Sequence, residues 1–276
     1  MSIATVYRVC GSLILMSLAC MGCVQAEVEN KPIITKELKD SPNFIKVDKV
    51  SSRINEESIY SSIINYSRNP TLDITNRMTC GHETTHMINN DLRNNLQAGN
   101  KINAFYLPIG WAFATPEPNF RKSKVKEFVP SDLRGPRYSL YLEGSRDWDD
   151  RPLYVMDEWC SYINGAMVGI DDVKNNRYRD GWTDGVYGCL EFSVYGLALC
   201  MATEKYDNNY WNTNVEFKSF MNWNLKRAYN TYVAGKDFSQ FKYDKQEDYL
   251  QRFQQSSSAQ AMRNFANTHF NGTWVK

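Results

Sequence analysis

Two of the chain's three histidines stand four residues apart, in His82-Glu83-Thr84-Thr85-His86. No other feature limits the fold so tightly, because this spacing acquires chemical meaning on a helix. There, positions i and i+4 lie one turn apart on one face. The flanking residues supply the helix. Ile74, Met78, Gly81, Thr85, Ile88 and Leu92 recur at intervals of three and four, the period of an amphipathic helix with a small or apolar stripe. Asp73 or Thr71 is placed to cap its start, and Ala98-Gly99 to end it. Two imidazoles on one helical face can hold one Zn²⁺, and the glutamate between them can act on a water at the ion as general base.

The pentapeptide on such a helix resembles the zincin superfamily of H-E-x-x-H zinc metallopeptidases. The resemblance implies that His82 and His86 are zinc ligands and that Glu83 is the catalytic base. A site of this type needs a third protein ligand and one open position. The extended pattern H-E-x-x-H-x-x-G-x-x-H requires glycine at 89 and histidine at 92, where this chain has Asn89 and Leu92. The remaining histidine, His269, lies in an Asn-Thr-His-Phe stretch and reads as a surface or packing residue. A carboxylate is therefore expected as third ligand.

Glu158 is the leading candidate. It sits in a segment beginning at Pro152 that reads as a helix, among Val155, Met156, Trp159, Ile163 and Met167. A carboxylate in such surroundings needs a partner, because an unpaired buried charge is costly. Ser161, Tyr162, Gly165 and Gly169 share its face, so a second helix can approach closely. Asp157-Glu158-Trp159-Cys160-Ser161-Tyr162 resembles the glutamate helix of gluzincins, N-E-x-x-S-D in thermolysin-like members, keeping the acid and serine but not the asparagine or aspartate. Two alternatives stay open. Gly181-Trp182-Thr183-Asp184-Gly185-Val186-Tyr187-Gly188 resembles the G-T-x-D-x-x-Y-G motif of aspzincins, which makes Asp184 a ligand, although Asp184 also reads as a helix N-cap. Glu191 is a lone acid in the apolar run from Cys189 to Met201. Behind the ligands, Asp157 or Asn90 is placed to fix an imidazole tautomer. Tyr138, Tyr141, Tyr162 and Tyr187 are candidates for a hydrogen-bond donor to a developing oxyanion. Asp147, Asp149 and Asp180 form no complete calcium loop and read as surface charge.

Residues 1–26 carry Arg8, an apolar run from Gly11 to Cys23, and Val24-Gln25-Ala26, the three parts of a secretory signal peptide. Cys20 or Cys23 is the competing candidate for a lipid anchor, though neither has leucine three residues before it. Both readings send the chain out of the cytoplasm, to a secreted or periplasmic location. No other segment is expected to be long and apolar enough to span a bilayer. The formal charge of +1 offers no electrostatic footprint for nucleic acid or an anionic membrane. Beyond residue 26, Cys80, Cys160, Cys189 and Cys200 make an even count, which outside the cytoplasm predicts disulfides. Cys189 and Cys200 on one helix stand about 16 Å apart, too far to bridge each other.

The rest of the chain divides into a polar lead-in over 27–42, a strand over 44–50, and a helix over 55–67 ended by Asn69-Pro70. A β-prone strand or hairpin arm follows over 102–114, then a basic loop over 121–126 and a strand over 137–142. Helices are predicted near 152–170, 184–204 and 213–233 and again after 244, with Ser256–Ser258 as a linker or cap. The expected fold class is α+β and helix-rich: a zincin-like chain with an active-site helix, a small β-sheet and a mainly helical C-terminal part. Residues 1–26 are assigned to the signal peptide, 27–70 to the lead-in, and 71–276 to the catalytic domain. The expected function is that of a monomeric zinc metalloendopeptidase acting on protein or peptide substrates, with His82, His86 and Glu158 on Zn²⁺ and Glu83 as base. The alternatives are a non-catalytic, zinc-stabilised envelope protein and a zinc hydrolase of a non-peptide amide such as cell-wall material.

Overall fold

The computed structural model describes residues 43–96, 102–108, 110–144 and 150–272. The expected leader with Cys20 and Cys23, the lead-in over 27–42, the helix end at Ala98-Gly99, and Asp147 and Asp149 lie outside the described residues. The fold is helix-rich α+β with one small antiparallel sheet.

The sheet has the order β1-β3-β2, from β1 (Phe44–Lys46), β2 (Ile102–Leu107) and β3 (Trp111–Pro116). The predicted 102–114 arm is thus a hairpin, with Phe105 opposite Phe113 and Leu107 opposite Trp111. Gly110 closes it at φ 76°, a left-handed conformation that a Cβ disfavours. Alternation sorts the side chains to two faces. Phe44, Phe105, Leu107 and Phe113 enter the large helical core, while Ala104, Tyr106, Ala112 and Ala114 face a second cluster with Ile63, Ile64, Ile88 and Val168. Both faces are covered, which is why this segment reads as a nearly continuous apolar run.

The one-turn helix α1 (Ser61–Ile64) is all that forms of the predicted 55–67 helix. The motif helix is α2 (Arg77–Leu96). Its cap is neither Asp73 nor Thr71: Asn76 Oδ1 accepts from Thr79 N at 2.8 Å, while Asp73 is exposed. Then come α3 (Tyr154–Lys174), α4 (Gly185–Tyr206), α5 (Asn208–Thr213), α6 (Val215–Gly235), α7 (Gln246–Gln255) and α8 (Gln260–Phe270). Between the sheet and α3, two predictions are overturned. The basic loop forms a 3₁₀ helix, Lys122–Phe128, in which Lys122 is buried with its ammonium 4.5 Å from the Tyr154 ring centroid. The predicted 137–142 strand is a π-helical segment, Tyr138–Gly144, with Tyr138 and Leu142 buried on one face.

Helix α4 is apolar on every side and forms the centre of the core. It is long and apolar enough to cross a membrane, contrary to the sequence expectation, but 94% of its apolar window is buried inside the protein. The predicted disulfides are also overturned. Cys80, Cys160, Cys189 and Cys200 are all free and buried: Cys80 Sγ donates to the Thr71 carbonyl, Cys160 Sγ accepts from Asn224 Nδ2 at 3.9 Å, and Cys189 Sγ lies 3.9 Å from the Tyr162 carbonyl oxygen. Burial pushes the Cys160 and Cys189 thiols up to about 12, so both stay protonated and unreactive.

Candidate metal centre

Helices α2 and α3 cross at small residues. A Cβ added to Gly165 of α3 would stand 2.8 Å from the Met78 carbonyl oxygen and 3.2 Å from His82 Cβ. One added to Gly81 of α2 would stand 2.9 Å from Val168. This close approach brings His82 and His86 of α2 against Glu158, which projects from the first turns of α3.

Three donor atoms converge there. His82 Nε2 and His86 Nε2 are 3.1 Å apart, and each lies 3.6 Å from Glu158 Oε2. A tetrahedral zinc site with bonds of about 2.0–2.1 Å holds its ligand atoms about 3.3 Å apart. The circle through the three observed atoms has a radius of about 2.0 Å, so one ion reaches all three at ordinary bond lengths. Glu158 is buried, and its Oε2 has no hydrogen-bond partner. An ionised oxygen in that position is costly unless a cation accompanies it. Two imidazole nitrogens and an orphaned carboxylate oxygen are a donor set that suits zinc. Among the described residues, no further His, Cys, Asp or Glu joins the group.

The surroundings fix each donor. Asp157 Oδ2 accepts from His86 Nδ1, which turns the Nε2 lone pair of His86 toward the shared point. Asp157 therefore takes the supporting position considered for it, and Asn90 does not: Asn90 Oδ1 accepts from Arg93 instead. Ser161 Oγ lies 3.3 Å from the same His86 nitrogen. The Tyr162 ring meets His82 edge-on at 4.6 Å between centroids. Burial, then the neighbouring His86 and Arg137, hold His82 well below the usual imidazole range, so it is neutral and ligand-ready. Burial presses His86 down as well, but the carboxylates of Asp157 and Glu158 outweigh it and hold His86 well above that range. A cation among the same groups competes directly with that proton.

Glu83 stands beside the donors, its Oε1 3.9 Å from His82 Nε2 and its side chain 43% exposed. Burial raises its pKa; His86 opposes the shift, and Glu158 and Asp157 reinforce it. It faces a cleft of ≈ 190 Å³ whose walls include His82, Met78, Tyr141, Tyr162, Asp184 and Arg137. Of the four candidate tyrosines, Tyr141 and Tyr162 line this cleft, with their hydroxyls 3.0 Å apart. Tyr138 and Tyr187 are buried in the core instead, packed on Tyr195 and on Tyr243 and Tyr249. Burial, then the Glu158 carboxylate, push the Tyr141 phenol far above its usual range, so it keeps its proton as a donor.

The rival carboxylates have another partner, which the sequence did not reveal. Arg137 lies between them, its Nη2 2.8 Å from Asp184 Oδ1 and its Nη1 3.2 Å from Glu191 Oε2. Asp184 also precedes α4 as its N-terminal flank, without a side-chain cap bond. His269 packs on Trp211 and Phe265 and pairs with Glu204 at 3.2 Å, and Asp180 lies in a half-buried surface turn. No family model, no curated protein and no solved structure matches this chain.

Proposed function

We propose that this protein is a zinc-dependent metallopeptidase with a zincin-like catalytic domain, working outside the cytoplasm. One observation carries the reading: His82, His86 and Glu158 converge at bond-length distance from one point, and Glu83 stands beside His82 on the wall of one cleft. Zinc, when held there, supplies Lewis acidity and lowers the pKa of a water to about 7. His82, His86 and Glu158 are the residues that would hold it. Glu83 takes a proton from the attacking water at Oε1 and delivers it to the leaving nitrogen. The protonated phenols of Tyr141 and Tyr162 on the cleft wall are side-chain donors available for charge developing on the carbonyl oxygen. Asp157 keeps His86 in one tautomer throughout. A purely structural zinc site takes four protein ligands, and the three-donor set with a cleft alongside favours catalysis over that reading.

The test uses zinc content and turnover together. Wild type is expected to hold one zinc per chain and to cleave peptides. Glu83→Gln is expected to keep the metal and lose at least ~10²-fold in kcat, the lower range of a general base's contribution. Full activity in that variant defeats the mechanism. Cleavage of cell-wall amides with no action on peptides moves the substrate class. Absence of zinc from wild type, Glu158→Ala and Asp184→Ala alike removes the reading altogether.

A further inference from the structure

Strand β2 is an edge of the sheet, and an edge strand presents unpaired peptide groups. At Tyr106, both backbone groups that face away from β3 are taken up by side-chain amides. Tyr106 N donates to Asn89 Oδ1 at 2.7 Å, and Tyr106 O accepts from Asn164 Nδ2 at 3.0 Å. All three residues are buried.

The polarity of this arrangement is fixed from both ends. The Tyr106 N–H can only donate, so Asn89 must turn its oxygen toward the strand. Its Nδ2 then points the other way and donates to Asp157 Oδ1 at 2.7 Å. With that oxygen engaged, Asp157 offers Oδ2 to His86 Nδ1. At the far end, the buried Arg227 donates through Nη2 to Asn164 Oδ1. A guanidinium has no acceptor, so Asn164 too is held in one orientation, with Nδ2 on Tyr106 O and on Thr85 Oγ1 at 3.2 Å.

We propose that Asn89 is a positioning residue for the metal centre: it transmits the direction of one peptide group of the sheet edge through Asp157 to the ring of His86. The inference rests on the zinc reading above. Asn89 touches neither ligand atoms nor the cleft. It holds the carboxylate that holds the imidazole, and so keeps Nε2 of His86 on the shared point. Supporting partners of this kind typically change metal affinity by 10–100-fold.

Zinc affinity, measured by competition with a chromogenic chelator, tests the proposal on the full folded chain. Asn89→Leu removes both hydrogen bonds and is expected to weaken zinc binding ~10–100-fold. Asn89→Asp sets two carboxylates against each other and is expected to do the same. The double exchange Asn89→Asp/Asp157→Asn rebuilds every link: the new aspartate accepts from Tyr106 N and from the new asparagine, whose oxygen still accepts from His86. It is expected to bind zinc more tightly than either Asn89→Asp or Asp157→Asn alone, a recovery that a general loss of core packing does not produce. If Asn89→Leu does not fold, the exchange series carries the test. Affinities of the Asn89 variants within about twofold of wild type, where partner loss costs 10–100-fold, overturn the proposal. So does an exchange no tighter than its single parents. A wild-type protein that binds no zinc overturns the metal reading itself, and this inference with it.

Discussion

Arg137 shows how much one side chain holds together beside the candidate centre. Its guanidinium bridges Asp184 and the fully buried Glu191, stacks 4.8 Å from the Tyr162 centroid, and through that ring backs His82. Glu191 Oε1 also accepts the Arg137 backbone N–H at 2.8 Å. Removing one partner of a buried pair leaves an uncompensated charge, which costs about 3–5 kcal/mol, whereas replacing both by apolar groups is often neutral. Arg137→Leu is therefore expected to destabilise the fold by about 3–5 kcal/mol, and Arg137→Leu/Glu191→Leu to recover most of that loss. Urea unfolding of the four-protein cycle measures it, and purely additive losses would contradict the pairing. The same residues mark the limit of sequence reasoning at this scale. A lone acid in an apolar helix must have a cation nearby, and both Glu158 and Glu191 are buried as that argument requires. Which cation it meets depends on chain segments far away. Arg137 lies 54 residues before Glu191, and Asn89 lies 68 residues before Asp157, with no spacing pattern to announce either contact.

At the scale of elements, the crossing of α2 and α3 sets the distance between the histidines and Glu158. Gly165 has no room for a side chain, and the atom that a Cβ would strike is the Met78 carbonyl oxygen, which cannot rotate away. Gly165→Val is expected to force the helices apart, destabilise by at least ~1–3 kcal/mol as overpacking does, and weaken zinc binding. Gly81→Ala meets a Val168 methyl rather than backbone, so its effect is expected to be smaller. Unfolding midpoints and zinc titrations of the two variants decide the order; equal effects would place the tight contact elsewhere. The crossing was legible because the helical stripe and the small face of α3 both repeat at the helical period. The Tyr138–Gly144 segment was not. Tyr138, Leu140 and Leu142 alternate as in a strand, yet Leu140 is 58% exposed while Tyr138 and Leu142 are buried. Packing of the wider π-helical turn selects the four-residue spacing over the two-residue one, and tertiary contacts alone decide that.

Over the whole molecule, the helix that carries His82 and His86 lies between two apolar clusters, with Met78 in the larger and Cys80 and Ile88 in the smaller. The sheet and the start of α3 are tied together at the edge of this arrangement by Glu117, which accepts from Leu153 N at 2.9 Å and Asn103 Nδ2 at 2.5 Å. Burial raises its pKa, and the two hydrogen bonds only partly oppose the shift. A carboxyl whose folded pKa lies above its unfolded value binds a proton more tightly when folded. Its contribution to stability is complete below the unfolded pKa, near 4.5, and is lost as pH rises through the folded value. Once ionised, the half-buried carboxylate thus works against the fold that its geometry supports. Glu117→Gln keeps an acceptor for Leu153 N and carries no charge, so it escapes this loss. The stability of the variant relative to wild type is expected to rise as pH climbs above the unfolded pKa, and to level off once Glu117 is ionised in both states. Paired urea unfolding curves across that range read the difference directly. A difference that stays constant with pH would mean that Glu117 is as well solvated in the fold as in the unfolded chain, and that the junction between sheet and helix is open to water.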